Sequence, residues 1–202
     1  MVAAKPTREQ RRAQRTTEIV DIAARLFAER GYAETGVSEL CDAVGLGRGA
    51  LYHYIESKES LVSSIHQRVA DALVPAGRAI VAQDAPATEK LRQFGLLSIR
   101  TILTYPDHVV VFMRDYKALT GYDRERLKAQ REAYESQLAD ILEQGRREGS
   151  FIFDDLGLTM LAWFGIHNAT YEVVRTRGAD EVESIAAAFH RVFTEGVVER
   201  SA

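Results

Sequence analysis

Residues 36–61, GVSELCDAVGLGRGALYHYIESKESL, decide the fold. Val37, Leu40, Cys41 and Val44 recur at i, i+3, i+4 and i+7, the spacing that places them on one face of a helix about two turns long. Gly45 suits the left-handed C-cap of that helix, and Gly47 is tolerated at the N-cap of the next. The corner 45–47 has the length of a helix-turn-helix connector, with Leu46 turned into the core. A second helix over 48–54 is predicted to bury Leu51 and Ile55. It would show Arg48, Gly49, Ala50, Tyr52 and His53 to solvent. That outward set offers a cationic fork, a bare backbone, a methyl group and two rings with polar tips, which suit guanine edges, close phosphate approach, thymine methyls and phosphate oxygens.

Upstream, Ile19, Ile22, Ala23, Leu26, Phe27 and Arg30 trace one face of a helix that ends at Gly31, so three helices precede residue 56. The chain carries 26 Lys and Arg against 29 Asp and Glu. This balance argues against a general affinity for nucleic acid, but its distribution does not. Residues 1–17 hold Lys5, Arg8, Arg11, Arg12 and Arg15 against the single acid Glu9, whereas acids outnumber bases over 18–60. Arg8, Arg11, Arg12 and Arg15 recur at near-helical spacing and can lie along a phosphate backbone or dip into a minor groove. A solvated tail is the alternative reading of the same residues, and the adjoining helix-turn-helix favours DNA.

Gly31-Tyr32, Thr35 and the run VSELCDAVGLGRGALYHYIESKESL resemble the helix-turn-helix of the TetR family of bacterial transcriptional repressors. The resemblance implies that 49–54 forms the recognition helix and that Ser57-Lys58-Glu59 opens a long fourth helix. It implies that Tyr52, His53 and Lys58 hold phosphates while Arg48, Gly49 and Ala50 face base edges. Two positions depart from the family, which usually has Thr or Ser where this chain has Gly36 and Ser where it has Gly47. The missing hydroxyls leave Glu39 with half a capping box and shift the expected phosphate contacts onto Thr35, backbone amides and Lys58. The expected DNA-contacting set is Arg11, Arg12, Arg15, Thr35, Arg48, Gly49, Ala50, Tyr52, His53 and Lys58.

The rest of the chain reads as helix. Leu61, Ile65, Val69, Ala72 and Leu73 carry the fourth helix to about residue 82, with a possible kink at Pro75. Helical patterns follow over 88–104, 107–119 and 123–148, and Gly149 ends the last. Asp154 and Asp155 open another, whose Leu156, Leu158, Met160, Leu161, Trp163, Phe164 and Ile166 are apolar almost all round. After Gly178 a final helix carries Val182, Ile185, Ala186, Phe189, Val192, Phe193 and Val197. The predicted class is all-α with about nine helices: a DNA-binding head over 1–56 and a body over 57–202 that binds ligand and dimerises. Double-stranded DNA read through one short helix gains a second half-site by pairing, so a homodimer through the last two helices is expected.

The body gathers Phe94, Leu97, Tyr105, His108, Phe112, Met113, Tyr116, Tyr134, Trp163 and His167. Such a set fills a core, and it also lines a small-molecule pocket. Resemblance to the TetR family implies an inducer held among helices four to eight. QREAYESQLADILEQGRREGSF, followed by a Trp-bearing helix, is similar to repressors of lipid, fatty-acid and steroid catabolism that respond to acyl-CoA thioesters. On that reading Arg100, Arg114 or Lys117 faces a CoA phosphate, or each is simply an exposed helix charge. A cationic drug, as sensed by multidrug-efflux repressors, is the alternative effector, and a buried acid would favour it.

Enzyme chemistry has no foothold in the sequence. There is no Gly-x-Ser-x-Gly elbow, P-loop, dinucleotide fingerprint or His-Glu-x-x-His. An adaptor that uses DNA only to localise a partner is the remaining class. His53, His66, His108, His167 and His190 lack ligand spacing and Cys41 is the single cysteine, so no metal site, cofactor or disulfide is expected. MVAAKPTREQRRAQR has no apolar core for a signal peptide, and no run reaches the roughly 18 apolar residues of a membrane span. A cytoplasmic chain with no membrane partner is expected.

Overall fold

Thr7 and Gln10 start the first helix by a reciprocal box. The Thr7 hydroxyl accepts from the Gln10 amide at 3.2 Å, and the Gln10 side chain accepts from the Thr7 amide at 2.8 Å. The computed structural model describes residues 7–171 and 181–195. Among them stand nine α-helices and no strand: α1 Arg8–Arg30, α2 Val37–Val44, α3 Arg48–Leu51, α4 Lys58–Val81, α5 Ala87–Thr104, α6 Pro106–Arg114, α7 Gly121–Glu148, α8 Leu156–Asn168 and α9 Val182–Glu195. The expected helix ends at Gly178 and Val197 lie outside the described residues.

Two boundaries differ from expectation for local reasons. The recognition helix is a single turn, because at His53 and Tyr54 the bonds tighten to i+3: His53 N–H donates to the Ala50 carbonyl at 3.2 Å and Tyr54 N–H to Leu51 at 2.9 Å. The helix expected over 107–119 ends at Arg114. A 3-10 turn, Tyr116–Ala118, follows it, with Ala118 N–H on the Asp115 carbonyl at 2.9 Å.

The chain folds into two compact units. The first joins residues 1–69 to residues 107–127. Its core combines Ile19, Ala23 and Phe27 of α1, Leu40 and Val44 of α2, and Leu51 with Leu61, Val62 and Ile65. Val111, Leu119 and Leu127 complete it from far along the chain, each almost wholly buried. Three ties hold this later segment in place. Arg114 donates to the Phe27 and Ala28 carbonyls at the end of α1, Glu59 accepts from the Thr120 amide and hydroxyl at 2.8 and 2.6 Å, and Arg126 donates to Ser63 at 3.0 Å.

The second unit, 70–106 with 128–202, packs Phe94, Tyr134, Leu138, Ile141, Leu142 and Trp163 at its centre. Helix α9 lies on α5 through Ile185 and Ala186 against Ile99, with Arg100 paired to Glu183. At the other end, buried Lys90 donates to the Val81 carbonyl and to Gln144, both at 2.9 Å, and so caps the end of α4.

Candidate nucleic-acid interface and ligand site

The glycine corner forms as its sequence dictates. Gly45 sits at φ +68, its N–H on the Asp42 carbonyl, while Leu46 N–H reaches back to Cys41 at 3.0 Å. A side chain at Gly45 would be strained there, which is why glycine occupies it. Gly36 donates its amide to Glu39 at 2.9 Å, the one half of a capping box that needs no side chain at the cap. That hydrogen bond, seconded by Arg30, holds the Glu39 carboxyl below the usual carboxylate range.

Beyond the corner, Leu51 and Ile55 are buried, and Arg48, Gly49, Ala50, Tyr52 and His53 are all exposed. Their outward placement on one turn leaves a fork, a bare backbone and two rings on a single surface. Lys58 lies over the Tyr32 ring at 4.1 Å, half-buried, so that burial lowers its pKa against the opposing pull of Asp115, Glu34 and Glu39. Tyr32 in turn meets Phe27 edge-on, which ties the base of Lys58 to the core.

Three residues of the expected DNA set stand elsewhere. Thr35 is fully buried and donates its hydroxyl to the Gly31 carbonyl at 2.8 Å. It closes the turn after α1 and has no surface to offer a phosphate, which corrects the reading from sequence. Arg12 donates to the His53 carbonyl at 3.0 Å, and Arg15 to the Val44 carbonyl at 2.6 Å and to Glu18 at 2.8 Å. Arg11 is exposed on the outer side of α1.

The expected ligand set is divided between the units. His108, Phe112 and Met113 belong to the first, because α6 sends its apolar Val111 into that core. There His108 meets Asp21 at 3.2 Å, Phe112 lies against His66 and Met113 is 41% exposed. Burial pulls the His108 pKa down, and Asp21 pulls it back up. The side chain of Tyr116 lies outside what is described. Tyr105 ends α5 half-buried in the second unit.

Phe94, Leu97, Tyr134, Trp163 and His167 do come together in that second unit. Phe94 stacks on Tyr134 at 4.7 Å and tilts on Trp163 at 5.5 Å, and Trp163 stacks on His167 at 3.8 Å. Ser98, which sequence reasoning passed over, donates to the Phe94 carbonyl at 3.0 Å and shares a 2.6 Å hydrogen bond with the Tyr134 hydroxyl. Gly95 was also missed. A Cβ there would lie 2.8 Å from His167 Nε2, so the glycine lets the imidazole close on α5. Mid-helix glycine at that point was the available signal.

His167 Nδ1 lies 2.8 Å from the Trp163 carbonyl, which only accepts, so Nδ1 carries the proton and Nε2 is the acceptor. Burial pushes its pKa down to about 4, leaving a neutral ring. Among the described residues no Asp or Glu is buried, and the buried Lys90 is already engaged with two acceptors. Arg100 is paired with Glu183 and Arg114 caps α1, so neither is poised for a CoA phosphate in this conformation, while Lys117 is exposed. Nor do His, Cys, Asp and Glu gather among the described residues into a group able to hold a metal.

Helix α8 buries Trp163 and His167 but leaves Leu158 66% and Leu161 67% exposed. Ala162, Gly165 and Ala169 extend that outer face at helical spacing, and on α9 Ala187, Ala188 and Val192 are exposed. No helix among the described residues is long and apolar enough to cross a membrane.

Comparison with known proteins accords with this architecture. Residues 19–65 match the family described as bacterial regulatory proteins, tetR family, and residues 84–197 match the tetracyclin repressor-like C-terminal domain. The HTH-type transcriptional repressor KstR2 of Rhodococcus jostii (strain RHA1) is 30% identical over 190 residues, covering 91% of each chain. The ketosteroid transcriptional regulator KstR2 of Mycobacterium tuberculosis superposes with a TM-score of 0.83 at 25% identity, over 92% of this chain and 96% of that one. PfmR of Thermus thermophilus, a TetR family transcriptional regulator, gives 0.80 at 30% identity over 90% and 99%. These relatives are regulators of transcription rather than enzymes, and with both its N-terminal and C-terminal parts matched, the chain belongs to the TetR family of bacterial regulatory proteins.

Proposed function

We propose that the protein is a homodimeric repressor that binds a palindromic operator through Arg48, Gly49, Ala50, Tyr52 and His53, and that a small apolar effector releases it. The observation that carries this reading is the recognition turn. Five residues suited to groove and phosphate contacts are exposed side by side, behind a corner whose glycines allow close approach. Residues 1–56 carry the DNA-reading side chains, and 57–202 serve effector binding and pairing. The relative from Rhodococcus jostii is named a repressor, which favours repression here.

Pairing uses the outer faces of α8 and α9. Leu158 and Leu161 stand in solvent beside alanines and a glycine that would let a second copy approach closely, and burying each leucine contributes about 1.5–3 kcal/mol. The effector occupies the second unit near Phe94, Tyr134, Trp163 and His167. Its buried polar groups are uncharged except for the engaged Lys90, which supports a neutral, ring-bearing or acyl moiety, such as the apolar part of an acyl-CoA. The ketosteroid regulator among the structural relatives points to the same class of chemistry. A cationic drug needs a buried carboxylate, and no Asp or Glu is buried among the described residues of the second unit. Effector binding biases α4, whose second half lies in this unit, toward a conformation in which the two half-sites are no longer both met.

The test is selection of duplexes from a random-sequence library by the purified protein. Anisotropy titrations of the winning duplex then follow, with and without steroid and fatty acyl-CoA thioesters. A two-fold symmetric consensus, and weaker binding with at least one thioester, are the expected results. Failure to enrich any duplex ends the reading.

A further inference from the structure

Arginines at the start of α1 fall into two groups that composition does not distinguish. Ile19, Ala23 and Phe27 form the buried stripe of α1, each wholly buried. Continued toward the N-terminus at helical spacing, that stripe passes through Arg15 and Arg12. Where the core runs out, half-buried Arg15 and exposed Arg12 turn to backbone carbonyls of the helix-turn-helix. Arg15 reaches the Val44 carbonyl, at the last residue of α2, and is steadied by Glu18. Arg12 reaches the His53 carbonyl, in the turn that follows α3. Carbonyls at a helix end lack intrahelical partners, and a cation there completes the hydrogen bonding and opposes the negative end of the helix dipole. The Cys41 and Asp42 carbonyls are met by the amides of Leu46 and Gly45, so Arg15 supplies what the corner itself does not. Arg8 and Arg11 are exposed, with no hydrogen bond or ion pair found for them among the described residues.

We propose that Arg12 and Arg15 are positioning residues that clamp the C-terminal ends of the two helices of the helix-turn-helix to α1, whereas Arg8 and Arg11 are the cations that neutralise phosphate. A recognition helix of one turn has too few internal bonds to fix its own orientation, and nucleating so short a helix is unfavourable without outside support. The clamps give that support. Loss of a clamp therefore disorders the base-reading surface without removing a phosphate contact. Loss of Arg8 or Arg11 does the reverse. The assignment rests on the DNA-binding reading above, but its first test does not need DNA.

That test is hydrogen exchange on the DNA-free full-length chain. Arg12→Ala and Arg15→Ala are expected to speed exchange at the amides of residues 51–55 and 45–46 respectively, while Arg11→Ala leaves both unchanged. Arg12→Lys, which keeps one donor within reach, restores much of the protection. Titrations of the library-selected duplex over 50–200 mM salt supply the second. Arg8→Ala and Arg11→Ala each lower the slope of log affinity on log salt by about 1.8, one phosphate contact being lost from each protomer of the dimer. Arg12→Ala and Arg15→Ala weaken selected-duplex binding about ten-fold, narrow its margin over a scrambled duplex and leave the slope at the wild-type value. Unchanged exchange together with a slope reduced as in Arg11→Ala overturns the clamp. A wild-type protein that binds no duplex instead overturns the regulator reading, and the exchange result still decides whether the clamps exist.

Discussion

The two compact units use their side chains in opposite directions. In the first, buried residues such as Ile19, Leu40 and Leu51 are ordinary aliphatic filling, and the distinctive chemistry of Arg48, Tyr52 and His53 stands outside. In the second, the distinctive chemistry is inside, where Phe94 stacks on Tyr134 and Trp163 on His167. Substitutions should therefore separate cleanly: changes to the outward set alter binding and spare stability, and changes to the inward set alter stability first.

The largest effect is expected at Trp163. Trp163→Ala removes a side chain that touches Phe94, Phe164 and His167, and urea unfolding should register a loss of about 3–5 kcal/mol. A loss below about 1 kcal/mol would mean that the aromatic cluster is an open pocket rather than packed core.

Next comes acidity. The folded-state pKa of His167 lies at about 4, beneath the unfolded value near 6.5, so the unfolded chain takes up a proton first as pH falls. The stability contributed by the neutral ring is present above pH 6.5 and is lost progressively down to about pH 4, to the extent of about 3 kcal/mol. His108 and His190 are shifted in the same direction, so the diagnostic quantity is the difference between the wild-type profile and that of His167→Gln. Parallel profiles would remove His167 from the account.

Arg48→Ala sharpens the comparison from the other side. Its thermal midpoint should stay at the wild-type value while discrimination between the preferred and a substituted base pair falls by about 1–3 kcal/mol. The smallest change is a gain. Gly36 and Gly47 have extended backbones with room for a Cβ, so Gly36→Ser and Gly47→Ser should each add a few tenths of a kcal/mol, roughly 0.3–0.5, to unfolding stability. Destabilisation at either position would show that glycine is needed there for a reason other than capping.

What could be read from the chain depended on range. The corner at Gly45 and Gly47 was legible because helix ends are set by local backbone preference, and so was the burial of Leu51 and Ile55. Thr35 was misread because a hydroxyl near a helix start looks the same whether it faces a phosphate or the Gly31 carbonyl, and only tertiary packing distinguishes the two. Arg12 and Arg15 looked like Arg8 and Arg11 for the same reason, their carbonyl partners being 41 and 29 positions away. The aromatic set was divided by the placement of α6, and its hydropathy pattern carries no information about which core it enters.

Because Val111, Leu119 and Leu127 finish the core around α1, the DNA-reading unit is discontinuous along the chain. During synthesis the helix-turn-helix leaves the ribosome well before its last packing partners. At a typical rate of about 5–20 residues per second, several seconds pass with Ile19 and Phe27 only partly covered. The core around the helix-turn-helix is thus complete only after residues 107–127 have left the ribosome, and a chain interrupted before then lacks part of it.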